Sequence, residues 1–202
     1  IVMPFSNVVN SANNYTFGST SGGSIGGTSG LTKSGTGSLT LATANTFTGT
    51  TVLNAGSLIL NNSLALQNSP LQLISVNAPV SLGAGITSLA LGGLIKTSGE
   101  APITGYITNG YNNLTVLTLN VPAGIRCSYA DVINNTTAGL KLIKDGPGWQ
   151  GLVGANGFNA GLEIRNGTVH QLKAGDVVVI PAGTGHWFTK IDDHINYLMV
   201  RI

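Results

Sequence analysis

The feature that most constrains this chain is a long-range repeat. Shifted by 111 positions, residues 31–60 fall on 142–171. Leu31, Lys33, Gly35, Gly37, Leu41, Ala44, Asn45, Phe47 and Gly56 then meet Leu142, Lys144, Gly146, Gly148, Leu152, Ala155, Asn156, Phe158 and Gly167, nine identities in thirty positions. Self-similarity of this kind points to stacked units, because each unit hides its apolar face only against its neighbours. Within the repeat the apolar residues alternate with polar ones. Ser38-Leu39-Thr40-Leu41, Thr51-Val52-Leu53 and Ser57-Leu58-Ile59-Leu60 read as short strands divided by Asn, Thr and Gly turns. Strands this short need neighbours on both sides. The 29 glycines are scattered along the chain, which disfavours helices throughout.

Charge divides the chain into two chemical parts. Residues 1–95 hold one charged side chain, Lys33, and no acid; the other fifteen lie between Lys96 and Arg201. Only 8% of residues are charged and the formal net charge is +2, so there is no basic field to displace counterions and no nucleic-acid partner is expected. No apolar run is long enough for a membrane-spanning helix. A surface so poor in charge favours self-association, which predicts a homo-oligomer or filament. Cys127 is the single cysteine, so an intrachain disulfide is excluded, and a buried small apolar side chain is the expected reading for it.

The stretch Gly30–Leu60, GLTKSGTGSLTLATANTFTGTTVLNAGSLIL, resembles the autotransporter-associated β-strand repeat of bacterial passenger proteins. Leu53 stands at the family's Ile/Val position. The second occurrence, 139–172, is degraded: Trp149, Glu163 and Arg165 replace Ser38, Val52 and Asn54. The resemblance extends over about residues 14–172. It implies an all-β, right-handed parallel β-helix in a secreted or cell-surface protein used for display, adhesion or self-assembly, with no catalytic residue. A β-sandwich or jelly roll is the alternative architecture, since it uses the same short strands.

The chain's end reads differently. Residues 173–202 resemble the second half of a cupin, an antiparallel β unit. Gly175, Pro181, Gly183 and His186 match its second motif, while Lys190 stands where the family has Asn. The expected division is a solenoid over 1–165 and a cupin-like cap over 166–202. In cupins the histidine of this motif binds a metal together with an earlier H-x-H…E motif. That motif is missing here, and no histidine precedes His170. A single imidazole does not hold a catalytic metal. No cofactor and no metal are therefore expected, the alternative being one divalent transition metal on His186.

Candidate ligand-binding residues are His186, Trp187, His170 and Trp149. Each has a plain structural reading: His186 hydrogen-bonded at a strand mouth beside Trp187, His170 on a strand facing solvent, and both tryptophans as packing anchors. Glu100, Asp131, Asp145 and Glu163 show no pairing of the kind glycosidases need. The expected function is an extracellular structural repeat protein without catalysis. The alternatives are a cupin-derived metal- or small-ligand-binding protein or enzyme, and a carbohydrate-binding module with a glycan partner.

Overall fold

A computed structural model describes residues 1–74, 79–96, 113–133, 138–152, 156–166, 168–170 and 178–179. In chain order the strands are β1 (Asn7–Asn10), β2 (Tyr15–Phe17), β3 (Leu31–Ser34), β4 (Ser38–Leu41), β5 (Thr51–Leu53), β6 (Ser57–Leu60) and β7 (Leu71–Leu73). They continue as β8 (Val80–Leu82), β9 (Ser88–Leu91), β10 (Leu94–Ile95), β11 (Val116–Asn120), β12 (Arg126–Tyr129) and β13 (Lys141–Asp145). Last come β14 (Trp149–Leu152), β15 (Leu162–Ile164), β16 (Thr168–His170) and β17 (Val178–Val179). No helix occurs among the described residues.

Every strand pair is parallel, and chain neighbours do not pair with each other. The orders are β1-β3-β5-β7-β10, β2-β4-β6-β8, β9-β11-β13-β15-β17 and β12-β14-β16. An isolated bridge, Lys96 to Tyr129, carries the first of these ladders on into the last. Asn7, Leu31, Thr51, Leu71 and Leu94 follow one another at one level of a ladder, in steps of 24, 20, 20 and 23 residues. The chain is therefore a parallel β-solenoid, each circuit adding one rung to each wall.

The alternation seen in the sequence sets which side chains enter the core. β3, β5 and β7 bury their first and third residues, and β4 and β6 their second and fourth. Parallel register stacks like on like: Leu39 on Leu58 on Val80, and Leu89 on Leu117 on Leu142 on Leu162. Each fully buried leucine contributes about 1.5–3 kcal/mol, so these columns supply most of the cohesion.

Between the apolar columns run polar stitches. Asn45 is buried and joins three circuits: its Oδ1 accepts from Ile25 N at 2.9 Å, and its Nδ2 donates to the Ala65 carbonyl at 3.0 Å. Its repeat partner Asn156 accepts from Ile133 N at 2.9 Å. Lys33 is wholly buried, and its ammonium donates to the carbonyls of Ser34 (2.7 Å), Gly35 (2.9 Å) and Ala55 (3.3 Å). Lys144 repeats this arrangement on Asp145 (2.6 Å), Gly146 (2.7 Å) and Asn166 (3.2 Å). An ammonium has three donors, and here each has a carbonyl. Gly56 closes the same corner with φ 71°, and a Cβ there would lie 2.3 Å from the Gly37 oxygen and 2.6 Å from Lys33 Nζ.

The two repeat copies occupy different walls. β3 belongs to the first ladder, but its counterpart β13 belongs to the ladder β9-β11-β13-β15-β17. β14, the counterpart of β4, stands in the line that extends β3's own ladder. The second copy is thus rotated by one wall about the solenoid axis.

Parallel pairing also continues beyond residue 165. β16 pairs with β14, and β17 pairs with β15 through Leu162 to Val178. Val178 and Val179, which fall within the cupin-like stretch, form a parallel rung of the solenoid wall. The other residues of 173–202 lie outside the described residues.

Two comparisons test the corner. Gly56→Ala combines a left-handed backbone with contacts inside van der Waals distance and should lower unfolding free energy by about 3–5 kcal/mol in urea titration. Gly85 has φ 80° with nothing within 4 Å of an added Cβ, so Gly85→Ala keeps only the backbone strain. Its expected loss is about 1–2 kcal/mol. Equal losses at the two sites would contradict the packed corner.

Candidate functional site

Among the described residues the charged groups gather on the late rungs, from Lys96 onward. Trp149 opens β14 on the outer face, opposite Arg126 of β12 on one side and Thr168 of β16 on the other. Gly151, two residues on, shares that face. A Cβ on Gly151 would lie 2.4 Å from the indole Cη2, so the six-membered edge of the ring occupies the space that a side chain there would take. The Arg126 guanidinium carbon is 5.0 Å from the ring centroid. Such a contact is worth about 0.5–1 kcal/mol at a partly exposed site. Trp149 is therefore an outer-wall anchor, half-buried between its own strand and Arg126.

On the adjoining wall Glu163 accepts from both Lys141, at 2.5 Å, and Arg165, at 2.6 Å. These hydrogen bonds, from Arg165 first and Lys141 second, pull the Glu163 carboxyl down to about 2. The same contact holds the Arg165 guanidinium above its usual range. The three groups lie on the solvent side of β13 and its continuation, and they satisfy one another.

The interior of these rungs is unusually polar. Lys96 Nζ meets Asp131 Oδ2 at 2.8 Å, with both side chains almost fully enclosed. Gln150 is buried and behaves as a substitute peptide group. Its Oε1 accepts from Leu94 N at 2.9 Å and its Nε2 donates to Leu94 O at 3.0 Å, which completes the short rung β10. Burial pushes the Cys127 thiol up to about 11, so at neutral pH it is a small apolar filler and not a nucleophile. Burial, with the Asp131 charge second, likewise raises the Tyr129 phenol.

Of the residues singled out from sequence, Trp149 lies on the outer wall as described, and His170 lies in β16 opposite Gly151. His186 and Trp187 lie outside the described residues. Among the described residues no group of three His, Cys, Asp or Glu side chains is placed to hold a metal ion. Sequence reasoning missed the Lys96–Asp131 pair, the Gln150 brace and the carbonyl-bound lysines. For the lysines a signal was present: Lys33 and Lys144 share the strand face of Leu31 and Leu142, the inward one.

Burial is the largest effect on Lys144 and lowers its pKa from 10.5 to about 8, with Asp145 and then Cys127 acting the other way. Between pH 8 and 10.5 the unfolded chain keeps a proton on Lys144 that the folded chain has released. Unfolding then takes up a proton, so this residue makes stability rise with pH across that window. The expected result is a gap between wild type and Lys144→Met that shifts in favour of wild type from pH 8 to 10.5 in urea titrations; a constant gap would contradict it.

Comparison with known proteins places one part of this architecture. No curated protein and no solved structure matches the chain. Residues 31–60, which hold β3 to β6, Lys33, Asn45 and Gly56, match the family model of the passenger-associated transport repeat.

Proposed function

We propose that this chain is a structural scaffold of the autotransporter-passenger type, displayed at a cell surface or secreted, and that it assembles with copies of itself. The observation that carries this reading is the parallel solenoid whose residues 31–60 match the passenger-associated transport repeat. Among the described residues β1 pairs with β3 and β2 with β4. Around them Ile1 (76%), Val2 (66%), Met3 (71%), Phe5 (102%), Val8 (65%) and Tyr15 (47%) are exposed. These are six of the nine large apolar side chains exposed among the described residues. Residues 1–32 hold no charged side chain that would repel a second strand edge.

The passenger-type repeat supports a surface or secreted setting, in which a rigid rod holds other groups away from the membrane. The stacked leucine columns give the rod its stiffness, and the nearly uncharged early walls give it a self-adhesive surface.

Light scattering and electron micrographs of the purified chain should show oligomers or end-joined rods. Phe5→Asp combined with Val8→Lys should shift the population to smaller species without changing the β-type circular dichroism. A monodisperse monomer at tens of micromolar would contradict assembly and leave the fold standing.

A further inference from the structure

We propose that Lys96 and Asp131 condense into an intramolecular amide that staples the solenoid core covalently. Three lysines are buried among the described residues: Lys33, Lys96 and Lys144. Lys33 and Lys144 aim at backbone carbonyls, which are unreactive toward amines. Lys96 instead has a carboxyl group at its Nζ, with Asp131 Oδ2 at 2.8 Å. That hydrogen bond sets the amine beside the carboxyl group whose carbon it would attack, the kind of fixed orientation that speeds intramolecular reactions.

The backbone holds the partners on adjacent rungs. Lys96 N donates to Ser128 O at 2.8 Å, Ala130 N donates to Lys96 O at 3.2 Å, and Lys96 bridges Tyr129. Asp131 follows two residues later. The reacting groups therefore meet without a search, and the entropy of bringing them together is already lost on folding. Side-chain exposures of 1% and 10% keep bulk water from the pair. Amide formation draws on the neutral amine and acid, which differ from the ion pair only by one proton moved along the hydrogen bond.

The step balances without another reactant. The Lys96 Nζ–Asp131 Cγ bond forms and a Cγ–Oδ bond breaks. The nitrogen gives up two protons over the sequence, and the oxygen leaves with them as water. No oxidant is involved, in keeping with a chain whose single cysteine allows no internal disulfide. Tyr129, buried, stands opposite Lys96 in the ladder, and its phenol senses the Asp131 charge after the larger effect of burial. The amide would close a long loop between β10 and the end of β12 and so restrict the unfolded chain in the way a disulfide does.

Intact-mass spectrometry of the purified, denatured 202-residue chain tests this directly. The expected mass is one water below that of the sequence, and trypsin should fail to cut after Lys96, leaving a branched peptide that joins the Lys96 and Asp131 segments. Lys96→Arg keeps the charge pair, cannot form this amide, and should return the chain to its sequence mass. A wild-type chain at its full sequence mass with normal cleavage after Lys96 overturns the proposal, as does an equal loss of water in Lys96→Arg. The wild-type reading stands whether or not the variant folds.

Discussion

The Lys33 ammonium lies inside the core with its three protons directed at the carbonyls of Ser34, Gly35 and Ala55. Two of these carbonyls belong to its own corner and the third to the next circuit. Removing an ammonium from water costs several kcal/mol even after relaxation. Three charge-assisted hydrogen bonds at about 1.5–3 kcal/mol each return a comparable amount. The balance is near zero, so the lysine is not what makes the solenoid stable. It makes one arrangement of the corner better than any other. A slip of either circuit would leave a buried cation facing apolar atoms, which is far worse than the same slip between two leucine rows.

Stability and specificity are thus divided between different residues. Leucine columns provide cohesion but tolerate sliding, since Leu41 fits over Leu60 much as Leu39 fits over Leu58. Asn45, Lys33 and Gly56 do not tolerate it, and all three fall within the segment that matches the passenger-associated transport repeat. The glycine is forced by the lysine: a side chain at Gly56 would occupy the space of the ammonium and of two carbonyls. This explains why a Lys and a spaced Gly stand together at 33 and 56; Gly167, the sequence counterpart of Gly56, lies outside the described residues. In the late rungs the interior polarity increases, with Lys96–Asp131 and the Gln150 brace added to Lys144.

Much of this was legible in the sequence. Alternation at period two identified β4, β5 and β6, and the shift of 111 identified both repeat copies. Three things were not legible, for different reasons. Lysine is ordinarily a surface residue, so the inward phase of Lys33 within Leu31-Thr32-Lys33 was outweighed by its chemistry. The rotation of the second copy by one wall depends on the path of residues 61–140, where no clean repeat marks the corners. Lys96 and Asp131 are 35 positions apart and meet only because β10 and β12 stack; no local pattern encodes that. Trp149 was recognised as an anchor or a ligand platform, and its place over Gly151 and under Arg126 accounts for the anchor role.

Lysines that bind backbone carbonyls within the core are the central feature of this fold, and side-chain nitrogen NMR reads them directly. With uniformly ¹⁵N,¹³C-labelled protein near neutral pH, Lys33 and Lys144 should give separate Nζ resonances whose protons exchange slowly with water. Hydrogen-bond couplings should link Lys33 Nζ to the carbonyl carbons of Ser34 and Gly35, and Lys144 Nζ to those of Asp145 and Gly146. If both resonances instead show the rapid exchange of surface lysines, the carbonyl-bound core is wrong and the corner must be held by some other interaction.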